Sequence, residues 1–84
     1  MVADIVEFTL QFEKIKSKIR DTIFNDKVKK QIRKIIEEPE IGKPMMHERK
    51  GTREVYVSPY RLSYAYIPEE NKIIFLTIYH KDEQ

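Results

Sequence analysis

The last third of the chain alternates strand-like runs with turn signals, and this pattern restricts the fold to a small sheet. Residues 53–57 alternate between polar and apolar side chains, and residues 60–67 alternate again after the turn signal Ser58-Pro59. After a further turn at residues 68–71, residues 72–79 are nearly all apolar. Such a run indicates a central strand covered on both faces. Strands joined by turns this short are expected to pair antiparallel.

The first half of the chain predicts one strand and two helices. Residues 2–8 have the composition of a strand, and apolar residues then recur at helical steps of three and four from Phe8 to Ile23. Asn25 or Asp26 is a suitable cap for a second helix. That helix should end at Glu38-Pro39, because the residue before a proline is pushed away from helical backbone angles.

The segment between the helices and the sheet contains the breakers Gly42 and Pro44, and residues 45–49 are candidates for a short paired strand. The predicted fold class is therefore α+β, with the order β-α-α-β-β-β. It consists of a small, mostly antiparallel twisted sheet with a helical hairpin packed on one face. Eighty-four residues are expected to form a single domain, residues 1–84.

Composition excludes several classes of site. The chain has no cysteine, so it cannot contain a disulfide or a thiolate zinc site, and its two glycines cannot form a phosphate-binding glycine loop. The two histidines lack carboxylates at ligand spacing, so neither a metal nor another cofactor is expected. No apolar run is long enough to span a membrane and no secretory leader opens the chain, so we expect a cytoplasmic protein.

The formal charge of +2 is too small to indicate a nucleic-acid partner by itself, but the cations are concentrated in the predicted helices. Between residues 13 and 34 the anions are Glu13, Asp21 and Asp26, and the cations are Lys14, Lys16, Lys18, Arg20, Lys27, Lys29, Lys30, Arg33 and Lys34. This excess is typical of a solvated helix face, and the alternative is a surface that binds nucleic acid.

Arg61 is the leading candidate for a phosphate contact. Strand alternation places it on the same face as Ser63 and Ala65, whose small side chains leave room for a ligand. The alternative is that Arg61 pairs with Glu54 on the neighbouring strand and only supports the register.

Further candidates lie at the ends of the predicted strands. His80 and Lys81 follow the last strand, and histidine is the residue type best suited to act as a general acid or base. A lysine or Tyr79 is the alternative carrier of the proton. Arg49, Lys50 and Arg53 flank a tight turn; they either contact RNA or are ordinary surface charges. A further candidate for RNA binding is Tyr56, because its position in the alternation places it away from the core.

Together these segments resemble the RelE/ParE superfamily of small toxins from toxin–antitoxin pairs. The resemblance covers essentially the whole chain. It rests on the element order, the connection from Glu38-Pro39 to Pro44, the segments Arg53-Glu54-Val55-Tyr56-Val57 and Tyr60-Arg61-Leu62-Ser63-Tyr64, and the basic end His80-Lys81.

The resemblance implies one of two activities. RelE-like members bind the ribosomal A site and cut mRNA there, whereas ParE-like members inhibit DNA gyrase and are not nucleases; a cognate antitoxin neutralises both kinds. Cleavage would be a metal-independent transesterification, with Arg61 and Lys81 binding the phosphate and His80 transferring a proton. We therefore predict a ribosome-dependent mRNA endoribonuclease that inhibits translation, with the ribosome, mRNA and an antitoxin as partners.

The sequence also departs from the ribonuclease branch. That branch often carries two lysines on the strand before Arg61, where this chain has Glu54 and Tyr56. Its C-terminal tyrosine has no counterpart, and His80 is the candidate replacement. The alternative hypothesis is therefore a non-enzymatic ParE-like inhibitor, or a degenerate toxin that only binds its antitoxin.

Overall fold

The computed structural model describes residues 2–83 and contains one five-stranded sheet with two helices. The elements are β1 (Ile5–Phe8), α1 (Leu10–Lys18), α2 (Thr22–Glu37), β2 (Lys43–Pro44), β3 (Thr52–Val57), β4 (Tyr60–Ile67) and β5 (Lys72–His80). The strand order is β1-β5-β4-β3-β2, in which β1 and β5 are parallel and the other pairs are antiparallel. The predicted α+β class is confirmed. No helix in this part of the chain is long and apolar enough to cross a membrane.

Side-chain caps determine where the two helices begin. The Thr9 hydroxyl accepts a hydrogen bond from the Phe12 amide and donates one to the Leu76 carbonyl, so it starts α1 and ties that start to β5. The Asp21 carboxylate accepts hydrogen bonds from the Ile23 and Phe24 amides, at 2.9 and 3.2 Å, and starts α2.

The predicted cap of the second helix was therefore wrong by about one turn. The cap is Asp21, which lies in the connection between the two helices, whereas Asn25 and Asp26 are both inside α2. The first helix ends at Lys18, because Ile19 is already extended. Ile23 consequently belongs to α2, where it is 68% exposed instead of continuing the apolar stripe of α1. The predicted end of α2 is confirmed, since Glu38 is its C-terminal cap and Pro39 follows.

Two strand predictions also need correction. The first strand is shorter than residues 2–8 and begins at Ile5. Residues 45–49 do not form a strand: His47 has a φ angle of 60°, in the left-handed region, and a 3₁₀ turn covers His47–Arg49. The short strand β2 lies just before this turn and pairs with residues 53 and 54 of β3.

The core lies between the helices and one face of the sheet. The Phe12 ring of α1 lies 5.7 Å from that of Phe75, and the Phe24 ring of α2 lies 4.9 Å from that of Tyr60. The most buried apolar residues are Phe12, Val28, Ile35, Leu62, Tyr64, Ile73 and Phe75.

A bulge in β5 decides which of its side chains face the core. Tyr64 pairs with Phe75, whereas Ser63 pairs with Thr77, so Leu76 is an extra residue in the ladder. The bulge keeps both Phe75 and Ile78 on the helical side although they are three residues apart. The prediction that β5 is covered on both faces was wrong, because Ile74 and Leu76 remain partly exposed.

Candidate functional site

A cleft of about 400 Å³ lies beside β2, β3 and β4, where the open face of the sheet meets its edge. Strand pairing places Glu54, Tyr56, Arg61 and Tyr79 on this face, because they alternate with the core residues of their strands. The cleft is lined by Lys43, Met45, Glu54, Val55, Tyr56, Arg61 and Lys81.

Glu54 is the central anion of this surface, and it is only 7% exposed. Its Oε2 accepts a hydrogen bond of 2.6 Å from the Tyr79 hydroxyl and one of 3.3 Å from Nη1 of Arg49. Its Oε1 lies 3.9 Å from Nη1 of Arg61. A buried carboxylate requires such partners, because burial without compensation is strongly unfavourable.

Tyr79 and Arg49 also contact each other. Nη1 of Arg49 donates a hydrogen bond of 3.0 Å to the Tyr79 hydroxyl, and the guanidinium carbon lies 5.4 Å from the centre of the Tyr79 ring. Desolvation raises the pKa of Tyr79, and its hydrogen bond to the Glu54 carboxylate raises that pKa further. The Tyr79 hydroxyl therefore keeps its proton and acts as a donor to Glu54.

Several of the candidates named from the sequence meet at this cleft. Arg61, Tyr56 and Lys81 line it, and Arg49 reaches its wall through the shared contact with Glu54. The Tyr56 side chain is exposed, as its place in the strand alternation predicts. The pairing of Arg61 with Glu54, the alternative considered for Arg61, is present as an ion pair without a hydrogen bond.

Other candidates lie elsewhere. The His80 ring packs edge-on against Tyr60, 5.5 Å between centres, on the helical side of the sheet, and its Nδ1 accepts from the Asp82 amide. Arg53 donates to the carbonyl oxygens of residues 40 and 42, at 2.9 and 2.8 Å. Lys50 is exposed beyond the 3₁₀ turn.

Glu54 and Tyr79 are the residues whose part in the site was underestimated from the sequence, and the lining residues Lys43 and Met45 were missed. The alternation of β3 does place Glu54 beside Tyr56, so its face could be read from the sequence. Its contact with Tyr79 depends on the register of a strand 25 residues away. Among the side chains that the structure describes, no three metal-ligating groups lie together.

The family model described as the ParE toxin of type II toxin–antitoxin system, parDE, matches residues 6–84 of the chain. This chain belongs to that family. The match confirms the resemblance of the toxin to the RelE/ParE superfamily, which its sequence predicted. No curated protein sequence matches it.

Solved structures share the fold of this toxin over nearly its whole length. The toxin–antitoxin complex RelBE2 of Mycobacterium tuberculosis matches at 27% identity and a TM-score of 0.80, covering 99% of this chain and 97% of the other. The isolated RelE toxin of E. coli has 20% identity and a TM-score of 0.76, with coverages of 95% and 86%. The RelE–RelB complex of Pyrococcus horikoshii has 16% identity and a TM-score of 0.77, with complete coverage of both chains.

Proposed function

We propose that this toxin is a ribosome-dependent endoribonuclease that cleaves mRNA and thereby inhibits translation. The observation that carries the proposal is the cleft on the open face of the sheet, where Arg61, Lys81 and Lys43 surround a space large enough for a nucleotide. Cations fixed around a phosphate stabilise the charge that develops during phosphoryl transfer.

The proposed reaction is a transesterification in which an RNA 2′-hydroxyl attacks the adjacent phosphate. Arg61 and Lys81 bind that phosphate, and the exposed ring of Tyr56 offers a surface on which a base can stack. No metal or other cofactor takes part in this scheme.

The roles of the remaining candidates stay predictions. Arg49 and Lys50 are accessible to an RNA backbone, whereas Arg53 would have to contact RNA while its guanidinium holds the loop at residues 40–42. His80 remains a candidate for proton transfer, although a substrate in the cleft would have to reach it around the end of β5.

The proposed partners are the ribosome, mRNA and a cognate antitoxin. Support for the antitoxin comes from the solved complexes of similar toxins with antitoxins in Mycobacterium tuberculosis, E. coli and Pyrococcus horikoshii. A function on translating ribosomes assigns the toxin to the cytoplasm.

A second candidate function is non-enzymatic inhibition, either ParE-like inhibition of DNA gyrase or binding of the antitoxin alone. Two observations favour it. The matching family model is that of the ParE toxin. In addition, Glu54 stands at a position where the ribonuclease branch often carries a lysine, and its carboxylate faces Arg61.

The two functions are distinguished by adding the purified toxin to a reconstituted translation system and mapping the mRNA by primer extension. The wild type should cut mRNA only when ribosomes are present, and Arg61→Ala and Lys81→Ala should cut far more slowly. A His80→Ala variant tests proton transfer in the same assay. If the wild type leaves mRNA intact but blocks DNA supercoiling by gyrase, the second function is correct.

A further inference from the structure

We infer that Glu54 is the catalytic proton acceptor of this toxin, taking the proton from the attacking 2′-hydroxyl, and that Tyr79 and Arg49 position its carboxylate. The inference rests on the proposed endoribonuclease function and adds to it a residue that the sequence pattern gave only a structural part. It is carried by the unequal surroundings of the two Glu54 oxygens.

One oxygen of Glu54 is held and the other remains available. Oε2 receives the hydrogen bonds from Tyr79 and Arg49, at 2.6 and 3.3 Å. Oε1 accepts no hydrogen bond from the groups that the structure describes, and its neighbour is the Arg61 guanidinium at 3.9 Å. Because Glu54 lines the cleft, a hydroxyl bound there can donate to Oε1.

The distance between Oε1 and Arg61 suits the proposed reaction. In a reactive geometry the 2′-oxygen and the phosphorus that it attacks are roughly 3–3.5 Å apart. A base for the hydroxyl and a cation for the phosphate must therefore be close neighbours. Glu54 and Arg61 meet this requirement from adjacent strands, since Tyr56 pairs with Arg61 and Glu54 lies two residues from Tyr56 on the same face.

The positioning residues reduce the freedom of the carboxylate. Two donors from different elements, the end of β5 and the 3₁₀ turn before β3, converge on Oε2. The raised pKa of Tyr79 means that this donor keeps its proton at neutral pH and does not compete with Oε1 for the substrate proton. A base whose orientation is fixed before substrate binds contributes more to catalysis than a mobile one.

The 2′-oxygen forms a bond to phosphorus while its proton passes to Oε1 of Glu54. The bond from phosphorus to the 5′-oxygen breaks, that oxygen takes a proton from water, and the products are a 2′,3′-cyclic phosphate and a 5′-hydroxyl. Glu54 then releases its proton to solvent.

The other ionisable groups at the cleft are less suited to accept the proton. An ammonium or guanidinium has no lone pair to receive it, and His80 packs against Tyr60 on the other face of the sheet. The charged and titratable groups that face Glu54 from its neighbouring elements are Lys43 on β2, Arg49 on the 3₁₀ turn, Arg61 on β4, Tyr79 on β5 and Lys81 after it.

The test is the rate of mRNA cleavage on programmed ribosomes across a pH series. Glu54→Gln keeps the size and an acceptor oxygen of the side chain but removes the base, so it should lower the rate by about 10²–10⁴-fold and remove the acidic limb of the pH profile. Glu54→Asp keeps a carboxylate with shorter reach and should retain that limb at a reduced rate. Tyr79→Phe should lower the rate less than Glu54→Gln.

The matched control is Glu69→Gln, which removes an exposed carboxylate outside the cleft and should leave rate and profile unchanged. A folded Glu54→Gln variant with the rate and profile of the wild type would overturn the role of Glu54 and leave the endoribonuclease function standing. If Glu54→Gln does not fold, Glu54→Asp decides: loss of the acidic limb in the folded variant refutes the inference. Absence of cleavage by the wild type would reject both proposals together.

Discussion

The backbone amide of Gly42 donates a hydrogen bond of 2.9 Å to the phenolic oxygen of Tyr64, which in turn donates one of 2.7 Å to the carbonyl of Pro39. Tyr64 is fully buried on β4, so this pair joins the loop after α2 to the centre of the sheet. Arg53 binds two carbonyl oxygens of the same loop. Because the loop leads directly into β2, these contacts place Lys43 at the wall of the cleft.

Replacing Tyr64 with phenylalanine should destabilise the toxin. The change leaves a buried amide and a buried carbonyl without their partner, and each such loss costs about 1–3 kcal/mol. Urea unfolding should therefore show a lower midpoint with an unchanged slope. Tyr56→Phe is the matched control: Tyr56 is 54% exposed, so its hydroxyl should contribute little. Equal midpoints for the two variants would contradict the structural role of Tyr64.

The stability of the toxin should fall at alkaline pH. Burial of Tyr64 raises its pKa above the ordinary value of 10.0, with a smaller opposing effect from the Gly42 hydrogen bond. A raised folded-state pKa means that folding favours the protonated phenol. This contribution is complete below pH 10.0 and is lost as the pH rises through the folded-state pKa.

Thermal unfolding measured from neutral to alkaline pH tests this prediction. Tyr64→Phe should be less stable than the wild type at neutral pH but should lose less stability above about pH 10. Some dependence should remain in that variant, because the pKa of Tyr79 is also raised by desolvation. A variant that follows the wild-type pH dependence throughout would show that Tyr64 is not responsible.

Gly42→Ala should destabilise the toxin because the new methyl group meets the Tyr64 ring. A Cβ at this position would lie 2.7 Å from the hydroxyl oxygen and 2.8 Å from Cε1 of Tyr64, which is packed on all sides. Overpacking of this kind typically costs 1–3 kcal/mol. The effects of Gly42→Ala and Tyr64→Phe should be non-additive in a double-mutant cycle, because Tyr64→Phe removes the hydroxyl oxygen that lies nearest to the new methyl group.

Gly51→Ala is the control for that cycle. Gly51 has a φ angle of 96° and no atom within 4 Å of an added Cβ, so its replacement costs backbone strain alone. Its effect should therefore be additive with that of Tyr64→Phe. If Gly42→Ala were additive with Tyr64→Phe and Gly51→Ala were not, the proposed clash between Gly42→Ala and the Tyr64 ring would be contradicted.

Arg61→Ala should reduce growth arrest on expression and slow mRNA cleavage by about 10²–10³-fold, the usual effect of removing one donor to a developing charge. The protein should remain folded, because the ion pair with Glu54 is 3.9 Å long and has no hydrogen bond. Arg20→Ala removes the same charge from the exposed connection between the helices and should retain toxicity. Full toxicity of Arg61→Ala, or its failure to fold, would reject the phosphate role.

The basic residues of α2 should make ribosome association sensitive to salt. Each lysine that neutralises a phosphate releases counterions, so binding weakens as salt rises. The double change Lys27→Gln and Lys30→Gln on exposed positions should reduce co-sedimentation with ribosomes and flatten its salt dependence. The matched change to arginine at both positions retains charge and should retain binding. The same salt dependence in the glutamine variant would indicate that these lysines are an ordinary solvated face.

Much of the fold follows from local patterns. The apolar spacing of Val28, Ile32 and Ile35 requires a helix with one buried face, and the structure has it. The turn at Ser58-Pro59 and the end of α2 before Pro39 also follow from the residues themselves. The sequence did not predict Asp21 as the cap, because apolar residues at helical steps continue from α1 into α2 without interruption. Competing caps can be distinguished only by the hydrogen bonds that they make.

The sequence by itself determined the family and the order of the two helices and the four longer strands, but not the short strand β2. It also determined the face on which Arg61, Tyr56 and Glu54 lie, since strand alternation depends only on neighbouring residues. The tertiary structure alone decided that Tyr79 contacts Glu54 and that His80 packs on the other side of the sheet. The bulge at Leu76 and the closure of the 3₁₀ turn over Glu54 depend on contacts between distant segments. Such contacts arise from the packing of the whole chain, and no local pattern encodes them.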